Sequence, residues 1–273
     1  MMEIQNEIYR HYEEIDEDGR LKRTKGILEF ERSKQIIIRF LYKENLKILD
    51  IGGGTGVYSF WLAELGHEVT LIDPMPNLIE IAKKHSKKNL LKNITIGDVR
   101  KIKEKDNSFD LIICFGPFYH LTEFEQRKIA LKEMQRVLKT DGFALIAGIS
   151  KYVSLFQSGL FDGMIEDPEF KKIVEKDLVN GQHRNTVDNS KFFTTSVFME
   201  PNELKSEVQN SEYKNVKCIA VEGPGWIHKD LENIVKNKGK LDELMDLISR
   251  IEEVESIMGM STHFIITAKK ASA

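Results

Sequence analysis

The sequence has few cysteines and shows no pattern typical of a metal site or a membrane span. Its two cysteines, Cys114 and Cys218, are too few for a disulfide framework and suit a protein that folds in a reducing cytosol. The seven histidines include no His-Glu-x-x-His segment or other paired spacing, so the sequence does not predict a zinc site. No apolar run approaches the roughly 20 residues that a membrane helix needs, and the N-terminal stretch mixes charges without the apolar core of a signal peptide. We therefore expect a cytoplasmic protein without a membrane partner.

The overall charge gives no reason to expect a nucleic-acid partner. The formal net charge is -3 at pH 7, so there is no strong electrostatic attraction to a polyanion. One interval, from Lys83 to Lys105, is rich in lysine and has few acidic residues, a pattern compatible with an anionic partner such as RNA. It lacks the interleaved aromatic residues that stack on single-stranded bases. The solvated faces of a helix and a loop explain the interval better.

The most informative segment is a short apolar strand that runs directly into a glycine-rich turn. Residues 47–56 read Lys-Ile-Leu-Asp-Ile-Gly-Gly-Gly-Thr-Gly, and a helix pattern starts at Val57. Glycines let the backbone turn tightly and let a ligand lie directly against it. A second strand follows and ends at Asp73, whose carboxylate can accept hydrogen bonds from both hydroxyls of a ribose. The sequence therefore predicts a cofactor that contains adenosine.

The spacing of the glycines separates two classes of cofactor. A dinucleotide-binding turn needs a small third residue so that the helix can pack closely, and here that position is Val57. The chain instead has Gly52-x-Gly54-x-Gly56, led by Ile48-Leu-Asp50-Ile51. This segment resembles the first motif of the class I S-adenosylmethionine (SAM)-dependent methyltransferases. The resemblance implies SAM as the cofactor, with Asp50, the three glycines, Asp73 and Pro74 in its binding site.

Later motifs extend the resemblance to this family. The acidic residue after the third strand of the family faces the adenine amino group, and the next backbone N–H meets a ring nitrogen; Asp98 and Val99 match these positions. Residues 108–115 form a nearly continuous apolar run, which predicts a strand buried on both faces. Phe115 at its end is a further candidate for cofactor contact. We expect residues 139–142 to form a turn before a fifth strand at 143–147.

The resemblance implies a Rossmann-like α/β fold. We expect a seven-stranded, mostly parallel sheet with an antiparallel last strand, helices on both faces and a helical cap insertion. The expected segments are a helical lead-in or lid (1–44), the SAM-binding core (45–150), the cap insertion (151–200) and the C-terminal part of the core (201–273), with inserted helices at 228–258. The apolar face of a helix at 241–258 packs either within the monomer or in a dimer seam, so a monomer and a homodimer both remain open.

Several segments resemble one subgroup of this family, the bacterial small-molecule methyltransferases with a Gly-Pro-x-Tyr-His-Leu segment. Here that segment is Gly-Pro-Phe-Tyr-His-Leu at 116–121, and the residues at 18–32 and 222–226 also resemble the subgroup. The resemblance implies a small-molecule methyl acceptor. One stretch departs from it: the chain has Val-Phe-Met-Glu at 197–200, where an aromatic residue and a histidine are expected. The identity of the acceptor therefore does not carry over.

The loop after the fourth strand supplies the catalytic candidates, Tyr119 and His120. The unperturbed pKa of a histidine is near the working pH, so His120 is the best candidate for a general base. The alternative is a loop histidine bonded to the backbone. In the lead-in, Tyr12 and Arg20 are candidates for a lid over the cofactor, with Arg20 paired to the SAM carboxylate. The alternative for Arg20 is an ordinary surface arginine.

Three aromatic residues have a functional and a structural interpretation. Phe115, Phe118 and Trp226 either enclose the substrate and the methyl-bearing cation or belong to the ordinary core. Two classes of function follow from the whole sequence. The first is an enzyme that transfers a methyl group from SAM to a small molecule. The second is a SAM-binding sensor or partner subunit without transferase activity.

Overall fold

The computed structural model describes residues 2–14, 17–187, 189 and 191–271. The chain divides into two compact units. Unit 1 comprises Met1–Ser33, Gly148–Leu204 and Cys218–Ile265, and unit 2 comprises Lys34–Ala147, Lys205–Lys217 and Ile266–Ala273. The four-segment division expected from the sequence remains a prediction.

Seven strands form one sheet within the described residues, and two more form a separate pair. The strands are β1 (Lys47–Ile51), β2 (Glu68–Asp73), β3 (Asn93–Ile96), β4 (Phe109–Cys114), β5 (Leu138–Ile149), β6 (Gln182–His183), β7 (Ser196–Val197), β8 (Tyr213–Ala220) and β9 (His263–Lys270). The order across the sheet is β3-β2-β1-β4-β5-β9-β8, and the sheet is mostly parallel with antiparallel strands at its end, as predicted. The separate antiparallel pair, in unit 1, consists of β6 and β7.

The helices begin and end where the sequence supplies local signals. For example, helix α7 begins at Pro168 after Asp167, whose side chain accepts a hydrogen bond from the backbone N–H of Glu169 at 2.8 Å, and it ends before Gly181 with φ 68°. The helices are α1 (Met2–Glu14), α2 (Glu17–Arg20), α3 (Thr24–Ile38), α4 (Val57–Glu64), α5 (Pro76–Lys84), α6 (Phe124–Val137), α7 (Pro168–Asn180), α8 (Pro201–Gln209), α9 (Leu231–Lys236), α10 (Lys238–Ser249) and α11 (Glu255–Met258).

The centre of the sheet positions the site. Strand β1 pairs in parallel with β2 on one side and β4 on the other, so that Asp50 lies opposite Leu71 and Ile113. All six residues of β4 are buried, which confirms the prediction of a strand covered on both faces. Because the strands are parallel, their carboxyl ends lie at the same edge of the sheet. The glycine turn, Asp73 and the loop after β4 all follow these ends.

The structure differs from two local predictions. Residues 139–142 lie within β5 and not in a separate turn, although Asp141 keeps a left-handed φ of 65° and the register shifts between β4 and β5. The helix expected at 241–258 ends at Ser249, and a second short helix, α11, follows. The shared apolar cluster of Leu28, Leu241 and Ile248 shows that α10 packs within unit 1, one of the two alternatives left open by the sequence.

None of the helices in the described part of the chain combines the length and the apolar character that crossing a membrane requires.

Candidate functional site

The glycine turn after β1 has a backbone that only glycine adopts easily. Gly52, Gly54 and Gly56 have φ values of 72°, 58° and 87°, in the left-handed region. A Cβ atom on Gly52 would lie 2.3 Å from Cδ of Pro117, which requires glycine there for a second reason. A Cβ on Gly54 would meet only Leu78, at 3.8 Å. The backbone at Gly54 is therefore bare, as a site for a flat ligand requires.

Asp73 lies beside this turn at the end of β2, and its side chain is held in place by backbone donors. Its Oδ2 accepts a hydrogen bond from the N–H of Gly54 at 2.8 Å, and its Oδ1 accepts one from the N–H of Met75 at 2.8 Å. Each carboxylate oxygen can accept more than one hydrogen bond. This acceptor next to a bare backbone suits the two hydroxyls of a ribose, so the residues present fit the nucleoside part of SAM.

Asp50 lies beneath the turn and is almost completely buried. Its Oδ2 accepts a hydrogen bond from the hydroxyl of Ser59 at 2.7 Å, and a Cβ on Gly53 would lie 2.6 Å from the same oxygen. Burial raises the pKa of Asp50 to about 7. The hydrogen bond from Ser59 opposes this shift, and the nearby charge of Asp73 adds to it. Asp50 thus packs against the turn from inside, and its direct contact with a cofactor stays a prediction.

Asp98 and Val99 follow β3, and Pro74 follows Asp73 directly. Oδ1 of Asp98 accepts hydrogen bonds from the backbone N–H of Arg100 at 2.8 Å and from its Nε at 2.9 Å. Burial alone would raise the pKa of Asp98, but the hydrogen bonds and the charge of Arg100 outweigh burial and lower the pKa. Val99 is buried and Pro74 is half-buried. The adenine roles of Asp98 and Val99 stay predictions.

The loop after β4 packs directly on the glycine turn. A Cβ on Gly116 would lie 2.9 Å from the carbonyl oxygen of Gly52, so the two backbones are in close contact. Tyr119 and His120 follow in a short 3₁₀ turn, are half-buried, and have ring centroids 4.8 Å apart. The structure thus places the start of the loop that carries the two catalytic candidates against the glycine turn. Their roles in catalysis stay predictions.

The aromatic candidates differ in their surroundings. Phe115 forms an edge-to-face contact with Tyr58, with ring centroids 5.4 Å apart, and remains half-buried. Phe118 is only 1% exposed and belongs to the core, the structural alternative considered for it. Trp226, in unit 1, is also buried, and its Nε1 donates a hydrogen bond to the carbonyl oxygen of Met260 at 2.8 Å.

The two lead-in candidates, Tyr12 and Arg20, belong to unit 1. The ring of Tyr12 makes an edge contact with His11, at 5.4 Å between centroids. The guanidinium of Arg20 donates to both carboxylate oxygens of Glu29, at 2.5 and 3.1 Å. Arg20 is therefore already engaged with an internal carboxylate, and its pairing with the SAM carboxylate stays a prediction.

Unit 1 contains a cavity of about 360 Å³ that the sequence did not predict. Its polar centre is a pair of side chains from distant segments: Oε1 of Glu222 lies 2.6 Å from Nδ1 of His263. Oε2 of Glu222 accepts hydrogen bonds from the backbone N–H of His263 at 2.9 Å and from the hydroxyl of Ser261 at 3.1 Å. The charged residues that line the cavity are Arg20, Arg23, Lys25, Glu29, Glu222 and His263.

The sequence did not reveal this group of residues. Glu29 and Glu222 lie in segments that resemble the subgroup, but neither carboxylate stood out as a candidate, and His263 was not predicted. Burial alone would lower the pKa of His263, but the carboxylates of Glu29 and Glu222 outweigh burial and raise it. Burial alone would raise the pKa of Glu29, and the Arg20 guanidinium lowers it. A repeated spacing would have signalled such a group, but these residues have none.

The raised pKa of His263 predicts a pH-dependent contribution to stability. A histidine whose pKa is higher in the folded state stabilises the fold fully below its unfolded pKa of about 6.5, and this contribution disappears as the pH rises through the folded pKa. We expect the free energy of unfolding of the wild type to exceed that of His263→Gln by more at pH 6 than at pH 9. Urea unfolding at both pH values checks this. An equal difference at the two pH values would contradict the ion pair with Glu222.

The turn, the carboxylate at the end of β2 and the parallel sheet define an α/β domain of the nucleoside-binding class. Residues 49–146 match the family described as "Methyltransferase domain". This part of the chain is a class I SAM-dependent methyltransferase domain, and SAM is its cofactor.

Individual relatives agree with this assignment. The chain is 35% identical over 109 residues to a ubiquinone biosynthesis O-methyltransferase of Pelagibacter ubique, a match that covers 40% of this chain and 44% of that protein. It is 28% identical over 202 residues to the protein of the same name from Rickettsia typhi, over 74% of this chain and 70% of that protein. The chain therefore spans less than half the length of the first of these relatives.

A solved structure supports the fold over nearly the whole chain. A SAM-dependent methyltransferase from Methanosarcina mazei has a TM-score of 0.57 and 18% identity to this protein, and the match covers 87% of this chain and 98% of that chain. At this level of identity the likeness concerns the fold alone. It confirms the Rossmann-like α/β architecture that the sequence predicts.

Proposed function

We propose that this protein transfers a methyl group from SAM to a small-molecule acceptor by in-line displacement. The observation that carries the proposal is the carboxylate of Asp73, fixed 2.8 Å from the N–H of Gly54 at a turn with a bare backbone. The two relatives are named as O-methyltransferases, which favours an oxygen atom as the methyl acceptor.

Methyl transfer from SAM requires two main contributions from the protein, alignment of the reactants and transfer of a proton. SAM, when bound, supplies a methyl group already activated by a sulfonium. The protein has to hold the acceptor in line with that methyl group and exclude water, and such positioning is worth up to about 7–11 kcal/mol. A hydroxyl acceptor also loses a proton, so a general base contributes. We assign the base to His120 and contact with the substrate to Tyr119, in the loop that packs on the glycine turn.

The test has two stages that separate binding from turnover. Calorimetric titration with SAM measures cofactor binding, and a panel of phenols, amines and thiols then measures methyl transfer. We expect saturable SAM binding and transfer to at least one phenol. SAM binding without transfer to any compound of a broad panel would instead indicate a sensor or partner subunit. Absence of SAM binding would overturn the assignment as a whole.

The cellular setting is part of the same proposal. We propose a cytoplasmic protein that acts as a monomer or homodimer on a small molecule, without a membrane or nucleic-acid partner. Cys114 and Cys218 are both free and buried, which suits a reducing compartment. Because the apolar face of α10 packs on Leu28 within unit 1, this face is not available for a dimer interface.

Replacement of His120 by alanine tests the assignment of the base. We expect kcat for a hydroxyl acceptor to fall by about 10²–10⁴-fold, with loss of the low-pH limb of the pH–rate profile. The exposed His228 provides a matched control, and His228→Gln should leave kcat unchanged. An unchanged rate with the same pH profile in His120→Ala would remove His120 as the base.

A further inference from the structure

The cavity in unit 1 has the size of a ligand site. Its volume of about 360 Å³ lies within the range of small-molecule pockets. Thr262 and His263, on its wall, lie where β9 begins, and the N–H of Ser150, directly after β5, donates to the carbonyl oxygen of Thr262 at 2.9 Å. The wall of the cavity is thus hydrogen-bonded at Thr262 to the residue that follows β5.

The carboxylates of the cavity already have hydrogen-bond partners. Both oxygens of Glu29 accept from Arg20, and both oxygens of Glu222 accept from His263, with Ser261 as a second donor. Lys25 is paired with Asp162, at 2.8 and 2.9 Å. Each of these charged groups is therefore already paired with a group of opposite charge.

The charged groups with hydrogen-bonding capacity to spare are donors, while the uncharged side chains of Thr24, Gln157 and Thr262 in the same lining can both donate and accept. Among the residues that the structure describes, the guanidinium of Arg23 has no hydrogen-bond or ion-pair partner. Nε2 of His263 has none either, since the contact of this ring with Glu222 is made by the other nitrogen, Nδ1. The other charged groups of the lining are each paired with an opposite charge: Arg20 with Glu29, Lys25 with Asp162, and His263 with Glu222. The charge of Arg23 is left over. A ligand that complements this wall has to accept hydrogen bonds and carry negative charge.

We propose that the cavity of unit 1 binds a small organic carboxylate, whose oxygens accept hydrogen bonds from Arg23 and from Nε2 of His263 while its apolar body packs on Trp226. A planar guanidinium suits a carboxylate because it can donate two parallel hydrogen bonds. The inference does not depend on methyl transfer, since it concerns groups of unit 1 and a binding event.

A divalent metal ion is the competing occupant of the same cavity. One ligand atom from each of Glu29, Glu222 and His263 lies within 4.8 Å of the others, a grouping that could surround a cation. A cation at this place would, however, be repelled by the nearby guanidinium of Arg20 and would compete with the hydrogen bonds of Arg20 to Glu29 and with the contact between His263 and Glu222. The paired arrangement therefore favours an anion over a cation.

The test compares benzoate with benzamide, its uncharged analogue of the same shape, by calorimetry on the full chain. S-adenosylhomocysteine (SAH) is present in excess so that the cofactor site is occupied. We expect benzoate to bind at least about tenfold more tightly than benzamide, because charge-assisted hydrogen bonds are roughly twice as strong as neutral ones. Arg23→Gln should weaken benzoate binding by about five- to tenfold and leave benzamide unaffected. Lys240→Gln, which removes one charge outside the cavity, should change neither.

The pH dependence of the wild type provides a second measurement that needs no variant. Glu29, Glu222 and Arg20 are the charged groups that set the pKa of His263, and Arg23 and Lys25 are the other charged groups of the lining. Benzoate affinity should fall between about pH 6 and pH 9 as the imidazolium loses its proton.

Equal binding of benzoate and benzamide, or unchanged benzoate binding in Arg23→Gln, would overturn the inference. So would tight binding of Zn²⁺ or Mn²⁺ alone that is lost in Glu29→Gln and unaffected in Arg23→Gln. Each of these results would leave SAM binding and the proposed function untouched.

Discussion

Replacement of Arg32 by methionine is expected to lower the free energy of unfolding by about 3–5 kcal/mol. Arg32 is completely buried in unit 1, where its Nε donates to the carbonyl oxygen of Val221 at 2.9 Å and its guanidinium contacts Glu252 at 2.7 Å. Methionine keeps most of the apolar stem but leaves the carboxylate of Glu252, only 8% exposed, without its charged partner. The large cost comes from leaving the buried carboxylate of Glu252 without the guanidinium, and not from the net value of the ion pair.

Two further variants separate this explanation from a general loss of packing. Addition of Glu252→Gln to Arg32→Met removes the stranded charge, so the double variant should recover a substantial part of the lost stability. Arg250→Gln breaks the exposed pair with Asp246 and should cost no more than about 1 kcal/mol. Urea unfolding measures all three. A cost below about 1 kcal/mol for Arg32→Met would show that Glu252 finds another partner or water, contrary to the buried pair.

Replacement of Asp73 by alanine should weaken SAM binding by about 1.5–3 kcal/mol, which is roughly 10- to 150-fold in Kd. The variant removes a charged acceptor from the two ribose hydroxyls. It also removes the acceptor that holds the N–H groups of Gly54 and Met75, each at 2.8 Å. Asp73→Asn keeps the size of the side chain and should lie between the wild type and the alanine variant. Calorimetric titration with SAM provides the measurement.

Asp110 provides a matched control in the same unit. It is a second buried carboxylate, and its oxygens accept from Lys43, from the backbone N–H of Lys47 and from Lys139, at 2.8 to 2.9 Å. Burial alone would raise its pKa, but these donors outweigh burial and lower the pKa to about 2. Asp110→Asn should therefore cost stability without changing SAM affinity. Equal SAM affinity in Asp73→Ala and Asp110→Asn would contradict the ribose assignment.

The parts of the fold that are local in sequence could be predicted from it. The apolar run of β4 and the carboxylate that ends β2 follow from patterns a few residues long, and the structure has both. The glycine turn is also local, since its left-handed φ values need glycine. These elements determine the α/β class because parallel strands with helices between them have few ways to pack.

The residues that depend on distant segments could not be predicted. Glu29, Glu222 and His263 approach one another only because the chain folds, and no spacing in the sequence encodes this. Arg20 illustrates the same limit: its charge suggested a cofactor carboxylate, and its contact with Glu29 could not be read from the sequence. The strand that continues through residues 139–142 is a smaller case, in which Asp141 takes the left-handed conformation that a turn would need while the ladder of β5 continues.

A crystal structure of the protein with SAH tests the central claim most directly. We expect the adenosine to lie on the backbone of residues 52–56, with both ribose hydroxyls within hydrogen-bond distance of the carboxylate of Asp73. An adenosine bound elsewhere, or a ribose that makes no contact with Asp73, would contradict it.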